Sequence, residues 1–313
     1  MSAVAALSHL TDRLPTMAGR IVADAALAPF TWFRVGGPAE ALVRPASAAD
    51  LGKFLGALPH GIPVTILGAA SNVIIRDGGI QGVVIRLARG FNDIKVEADG
   101  IVAGAACLDA TVAEHAASAG LTGLEFLSGI PGSVGGAVAM NAGAYGGDVA
   151  DTLDWAEFVS RTGDLVRIQA AGLAFAYRHA NLPAGAVVVR ARFRARTGDK
   201  LTIIARMAEI RANREATQPV RARTGGSTFR NPPGQKAWEL IDAAGGRGLA
   251  RGAAQVSEKH CNFLLNTGSA TAADLEGLGE ELRRRVLDLS GTSLEWEIKR
   301  LGVPVPTPWS LAG

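Results

Sequence analysis

Ser128-Gly129-Ile130-Pro131-Gly132-Ser133-Val134-Gly135-Gly136-Ala137, with Met140-Asn141-Ala142-Gly143-Ala144-Tyr145-Gly146-Gly147 close behind, concentrates glycine at intervals that fit neither a helix nor a strand. Glycine costs backbone entropy, so such a cluster serves a positive φ or a close approach of backbone to a ligand. Successive N–H groups in turns of this kind form anion nests, which hold a pyrophosphate without bulky side chains. A shorter loop of the same character lies upstream, Ile66-Leu67-Gly68-Ala69-Ala70-Ser71-Asn72. It sits between the apolar run 63–67 and Val73-Ile74-Ile75, a strand-loop-strand pattern. Neither loop has G-x-G-x-x-G or G-x-x-x-x-G-K-[ST] spacing, which excludes the Rossmann and P-loop readings. Taken singly, each loop reads as a tight turn of an α/β chain.

The chain has 313 residues, enough for two or three compact units, and its 48% hydrophobic content is ordinary for soluble cores. Cys107 and Cys261 lie far apart without C-x-x-C spacing, which points to reduced thiols rather than a disulfide framework. The segment from Met1 to Pro15 has no basic stretch leading into an apolar run, and no 18-residue uncharged apolar span occurs. The expectation is a chain that is neither secreted nor inserted in a membrane. The five histidines show no pair at ligand spacing, so no metal is expected.

A net charge of +3 is modest, but arginines crowd positions 190–230. Arg190, Arg192, Arg194 and Arg196 alternate with Ala191, Phe193 and Ala195, the pattern of a mostly solvated strand face. Arg206, Arg211, Arg214, Arg221 and Arg223 lie on a helical pattern and the loop after it. Nucleic-acid binding is one reading of such a cluster. A small dianionic substrate is the better one.

Coarse patterning divides the chain into three units. A loose leader or short helix covers 1–20, and Ala23 to Pro29 form an entry. Strands 40–44, 64–67, 73–75 and 83–87 with a helix 48–58 capped by Ser47 make the first unit, to residue 88. The second, to 198, holds strands 94–97, 101–104, 155–160, 165–169 and 187–194, a helix 108–119, the glycine loop and a hairpin turn at Thr162-Gly163-Asp164. The third, 199–302, holds helices 202–217, 237–244 and 272–290, the last capped by Thr271. Its strands are Ser227-Thr228-Phe229, 262–266 and 294–301. Residues 303–313, with Pro304, Pro306 and Pro308, read as an extended tail.

The wording of the loops goes further than their glycine content. The two glycine loops, with Thr31-Trp32-Phe33-Arg34-Val35-Gly36-Gly37, Phe175-Ala176-Tyr177-Arg178, Gly225-Gly226-Ser227-Thr228-Phe229-Arg230-Asn231-Pro232 and Leu294-Glu295-Trp296-Glu297-Ile298-Lys299, resemble the UDP-N-acetylenolpyruvoylglucosamine reductases. These are cytoplasmic flavoenzymes of bacterial peptidoglycan synthesis. The resemblance implies an α+β chain: a two-subdomain FAD-binding fold of the vanillyl-alcohol oxidase type over 21–88 and 89–198, then an α+β substrate-binding domain over 199–302. It implies non-covalent FAD, NADPH as hydride donor, and reduction of UDP-N-acetylglucosamine enolpyruvate to UDP-N-acetylmuramate by a monomer, without nucleic acid or membrane. Another non-covalent FAD oxidoreductase of the superfamily is the alternative. Neither cofactor loop contains the histidine or cysteine to which covalently flavinylated members attach FAD.

By the same resemblance Gly68, Ala69, Ala70, Ser71 and Asn72 hold the cofactor. So do Ile130, Pro131, Gly132, Ser133, Gly135, Gly136, Asn141, Gly143, Ala144, Tyr145 and Gly146. Arg178 matches the arginine that grips the enolpyruvyl carboxylate, Ser227 the general acid, and Glu297 the carboxylate that completes the site. Tyr177, Arg214 and Asn231 match substrate contacts by position. His260 and Asn262 match a segment lining the substrate domain and carry no assigned role. Ala69 and Ala70 stand where the family usually has glycine, so at least one backbone angle there must suit a Cβ. The interval from Tyr177 to Ser227 lacks the insertion that carries a lid tyrosine in one subclass, so the chain resembles the shorter second subclass. Along 294–299 alternation puts Glu295 and Glu297 on one face, about 6 to 7 Å apart, and periodicity does not choose between them.

Overall fold

The computed structural model describes residues 9–305. Residues 1–8 of the expected leader, and Pro306 and Pro308 of the tail, lie outside them. Three sheets of four or five strands, three two-stranded pairings and four cores organise the described chain.

In the first sheet the order is Arg20–Ala26, Pro38–Arg44, Ile80–Ile85, Val64–Ile66. Its first pair is antiparallel and the other two are parallel. The helix Ala48–Ala57 covers one face, and Ser47 caps it by accepting from the Asp50 N–H. Leu51, Phe54 and Leu55 on that helix close a core with Val43, Val83 and Ile85. The strand Arg20–Ala26 stands where an entry segment was expected. Its alanines and Asp24 lack β-branching, and pairing with Pro38–Arg44 orders it in one unbroken register, with Asp24 at φ 47°.

The second sheet is five-stranded and wholly antiparallel, in the order Leu165–Gln169, Leu153–Val159, Val187–Arg194, Gly100–Gly104, Ile94–Glu97. Gly163, at φ 91°, makes the hairpin turn that joins the first two. The helices Asp109–Ser118 and Lys200–Thr217 pack with this sheet around Val112, Phe158, Phe193, Ile203 and Met207. Inside the long glycine loop lies a short helix, Val134–Ala139, which glycine spacing concealed. Gly135 permits it, since a Cβ there would meet Ala105 Cβ at 3.1 Å.

The third sheet runs Arg223–Ser227, Phe263–Asn266, Ala254–Val256, Ala250–Arg251, all antiparallel. The helix Ala272–Ser290 packs on it, begun by a full capping box between Thr271 and Asp274. The expected strand 294–301 is regular only over Lys299–Leu301, and it pairs in parallel with Val73–Ile75 of the first unit. Phe33, Val35 and Ile74 also enter the C-terminal core. Arg76 grips Glu276 at 3.0 Å, and Asp77 accepts from the N–H groups of Ala272 and Ala273. The chain therefore returns to its beginning, and the C-terminal helix is capped partly by residues about 195 positions earlier. At the tail, Val303 exchanges backbone hydrogen bonds with Gly78 and Gly79.

Candidate active site

The two glycine loops face one another across a cavity of about 350 Å³, and the third sheet closes its far side. At the meeting point the Ala69 N–H donates to Ser133 Oγ. A Cβ on Gly68 would come within 2.8 Å of that oxygen, and one on Gly132 within 2.6 Å of Asp109 Oδ2. Backbone thus lines this part of the cavity because side chains have no room. Of the two alanines replacing glycine, Ala70 takes φ 52°, left-handed despite its Cβ. Ala69 needs no positive φ.

Asn72 fastens the first loop to the opposite wall of the cavity. Its side chain donates to the Gly225 carbonyl at 2.9 Å, and its own carbonyl accepts from the Lys299 N–H at 3.1 Å. Gly225 and Gly226 form a bulge in the Arg223–Ser227 strand before Ser227 pairs with Phe263. Glycine is required at 225 because a Cβ would strike the Phe33 ring at 2.3 Å, and at 226 because φ is 79°. The bulge re-aims Ser227 into the cavity. Thr228, next in sequence, accepts from the Glu297 N–H at 2.8 Å and so ties the segment of Glu297 to that of Ser227. Asn262 supports both by exchanging two hydrogen bonds with the Phe229 backbone.

Arg178 arrives from the second unit. Ala176 and His179 bond across a tight turn, and Arg178 occupies its φ 54° position, where arginine costs about 1 kcal/mol relative to glycine. Its guanidinium donates to the Gly143 carbonyl at 2.9 Å and lies 3.6 Å from Glu297 Oε1. Asn141 holds this turn beside the glycine loop. Its buried amide donates to the Ala176 carbonyl and accepts from Ala150 N–H.

Burial pushes the Glu297 carboxyl above the ordinary glutamate range, with Arg178 and Arg230 pulling the other way. Burial likewise lowers the Arg214 guanidinium, while the nearby Tyr145 partly offsets that effect. Four cationic side chains, Arg178, Arg214, Arg230 and Lys299, line the cavity with two carboxyl groups, Glu297 and Asp109. Such an arrangement suits a ligand carrying several negative charges.

The cavity gathers Arg178, Ser227, Glu297 and Arg214 with Gly68 to Asn72, Ile130 to Ser133, Gly136, Gly143 and Ala144. Gly135 faces an adjoining hollow lined also by Arg86 and Leu182. Asn141, Tyr145, Gly146, Tyr177 and Asn231 lie outside the walls of the main cavity. Tyr145 packs its ring under Gly129, and Tyr177 lies 5.1 Å beneath the Arg178 guanidinium. Asn231 accepts from the Ala237 N–H at the start of a helix.

Asp109, Arg230, Lys299, Trp32 and Gln218 line the cavity and were not singled out from sequence. Trp32, Arg230 and Lys299 lie inside the family motifs, whereas Asp109 and Gln218 lie outside them. Pleating does not apply at 294–298, because that stretch is irregular. Glu295 is exposed, away from the cavity, while Glu297 lines it, so the expectation of a shared face is corrected. The arginine face at 190–196 is mostly exposed, as expected, through Arg190, Arg194 and Arg196, and Arg192 alone departs from it. Arg192 is only 14% exposed and meets Glu97, Asp99 and Asp154, because the neighbouring strands bring acids opposite it.

Among the described residues no group of three or more His, Cys, Asp or Glu side chains could hold a metal ion, and no helix is long and apolar enough to cross a membrane. Both cysteines are buried and free.

Residues 218–301 match the model of the UDP-N-acetylenolpyruvoylglucosamine reductase C-terminal domain, and 39–169 match an FAD-binding domain. A reductase of that name from Acidiphilium cryptum is 66% identical over 97% of this chain and 98% of its own length. Another from Granulibacter bethesdensis is 64% identical over 95% and 96%. The crystal structure of the Thermus caldophilus reductase superposes with a TM-score of 0.79 at 37% identity, covering 92% of this chain and all of that one. The 6-hydroxy-D-nicotine oxidase of Arthrobacter nicotinovorans, 14% identical, has a TM-score of 0.55 over 91% of this chain and 89% of its own, a likeness of fold alone.

Proposed function

The chain belongs to the UDP-N-acetylenolpyruvoylglucosamine reductase family, and from that membership we propose that Arg178, Ser227 and Glu297 perform its chemistry in the cavity between the glycine loops and the third sheet. It is an FAD-dependent oxidoreductase of peptidoglycan precursor synthesis, built on the vanillyl-alcohol oxidase type of FAD-binding fold. Its substrate is a small UDP-sugar carrying an enolpyruvyl group. When bound, FAD accepts hydride from NADPH and supplies it to that group.

Hydride addition to the enolpyruvyl double bond drives negative charge into the substrate carboxylate. A guanidinium is the suitable stabiliser, being permanently charged and able to grip both oxygens. Arg178 fills that role, and its bond to Gly143 holds it against the second glycine loop. Ser227 delivers the proton to the neighbouring carbon. A hydroxyl is a weak acid, so this needs the electropositive wall that Arg178, Arg230 and Lys299 provide. Glu297, whose carboxyl burial pushes above the ordinary glutamate range, is the acid partner beside Arg178. Gly68 to Asn72, Ile130 to Ser133, Gly135, Gly136, Gly143 and Ala144 hold the cofactor, with Asn141, Tyr145 and Gly146 supporting that wall from behind. Arg214 contacts the substrate, and Tyr177 and Asn231 act beside it through Arg178 and the Ala237–Ala243 helix.

The observation that carries this reading is the convergence of Arg178 and Glu297 from separate units at 3.6 Å, with the segment of Ser227 bonded to that of Glu297. The protein works as a cytoplasmic monomer, apart from nucleic acid and membrane. The engagement of Arg190 and Arg192 by carboxylates supports the nucleic-acid part of that statement. The test is the purified protein. Flavin should be released by acid or heat, and NADPH should be consumed when UDP-N-acetylglucosamine enolpyruvate is added. Flavin with no response to that substrate would select another oxidoreductase of the same fold.

A further inference from the structure

Asp109 is the first residue of the Asp109–Ser118 helix, is 0% exposed, and lines the main cavity. Neither carboxyl oxygen has a hydrogen-bond partner. A buried carboxyl with both oxygens unpaired is costly unless a ligand completes it. Its surroundings say where that ligand lies. Leu108 bridges to Ser133 in antiparallel fashion and the Asp109 N–H donates to the Gly132 carbonyl, so the carboxyl is held against the Gly132–Ser133 backbone. A Cβ at position 132 would come within 2.6 Å of Asp109 Oδ2 and close the gap. Ser133 Oγ accepts from Ala69 N–H, so the carboxyl stands behind the point where the two glycine loops meet.

We propose that Asp109 is a neutral carboxylic acid that donates an O–H hydrogen bond to a pyrophosphate oxygen of FAD through the gap left by Gly132. The inference rests on the FAD reading above. An ionised carboxylate at this position would repel the diphosphate, whereas a protonated one supplies the donor that an anion requires. Burial, the cause acting on this group, raises its pKa well above the ordinary aspartate value and so favours the protonated form. Asp109 is then a cofactor-binding residue on the helix behind the second loop, outside both glycine motifs.

The experiment titrates FAD into apo-protein and follows the quenching of flavin fluorescence. Wild-type binding tests the cofactor reading, and the variants test this inference. D109N keeps a neutral N–H donor and should bind FAD within about threefold of wild type, or more tightly. D109A should bind about ten- to a hundredfold more weakly. ADP carries the pyrophosphate without the flavin, and it should displace FAD from wild type and D109N but about tenfold less well from D109A. Equal weakening in D109N and D109A would show that a neutral N–H donor at this position does not replace the acid, and would overturn the proposal. So would unchanged FAD affinity in D109A, or equal displacement by ADP from all three proteins. Should D109A fail to fold, infrared difference spectra decide. A carboxylic-acid carbonyl band that shifts on FAD binding and is lost in D109N supports the proposal, and its absence from wild type overturns it.

Discussion

Arg178 Nε lies 3.6 Å from Glu297 Oε1, although the two residues come from different units and their segments are 119 positions apart (297 minus 178). Arg178 is held by the Gly143 carbonyl and Glu297 by its N–H to Thr228. Neither depends on the other for its position, so the pair can be tested one residue at a time.

Glu297→Gln should lower turnover of the enolpyruvyl substrate by about 10²- to 10⁴-fold, the range for a lost acid partner. Flavin reduction by NADPH should survive. Glu295→Gln should cost little, because that side chain is exposed and away from the cavity. Steady-state rates of the two variants decide, and the reverse pattern would falsify the assignment.

Ser227→Ala removes a hydroxyl while leaving the bulge at Gly225–Gly226 and the pairing with Phe263 in place. Stopped-flow traces should show NADPH reducing the flavin at nearly the wild-type rate, with reoxidation by substrate slowed by about 10²- to 10⁴-fold. If both half-reactions slow together, Ser227 is a structural residue.

Arg178→Lys keeps the charge but loses the planar fork that reaches both Gly143 and a carboxylate. Turnover should fall by about 10²- to 10³-fold, as for loss of one transition-state donor. Near-normal turnover in this variant would remove the guanidinium from the mechanism.

Asp77→Ala leaves the N–H groups of Ala272 and Ala273 without their carboxylate. The loss should be about 1 kcal/mol, since Thr271 still caps the helix. Urea unfolding measures it, and an unchanged midpoint would show that the contact between the units adds nothing to stability.

Asp109 also predicts a pH dependence of the apo-protein. Its folded pKa lies above its unfolded one, so above about pH 4 the folded state binds the extra proton and stability falls as pH rises toward the folded pKa. The Cys107 thiol, pushed up to about 11 mainly by burial, stays neutral throughout that window. Asp109→Asn removes the slope, so its stability relative to wild type should grow as the pH rises above the ordinary aspartate range of about 4. Urea midpoints that shift in parallel for both proteins would count against a buried neutral acid.

Local signals carried far along this chain wherever a short stretch decides its own conformation. Ser47 and Thr271 cap helices as their sequences indicate, and Thr162-Gly163-Asp164 turns a hairpin. Each depends on hydrogen bonds spanning only a few residues. The Arg20–Ala26 strand and the Val134–Ala139 helix were hidden because alanine and glycine carry little propensity of the needed kind, and their order comes from partners elsewhere. The motifs around Ser227 and Glu297 contribute residues to the cavity wall, but alternation misled at Glu295, because backbone bonds to Thr228 rather than a regular ladder set the course of 294–298.

The sequence by itself determined the two glycine loops, the residue types beside them and the family to which their wording belongs. Those properties reside in contiguous residues, where spacing and composition act directly on backbone geometry. Only the tertiary structure decided that Arg178 faces Glu297, that Asn72 fastens one loop to the turn before Ser227, and that Asp109 stands unpaired behind Gly132. Those relationships depend on which surfaces pack together. Burial and Coulomb interaction fall steeply with distance in space and take no account of distance along the chain.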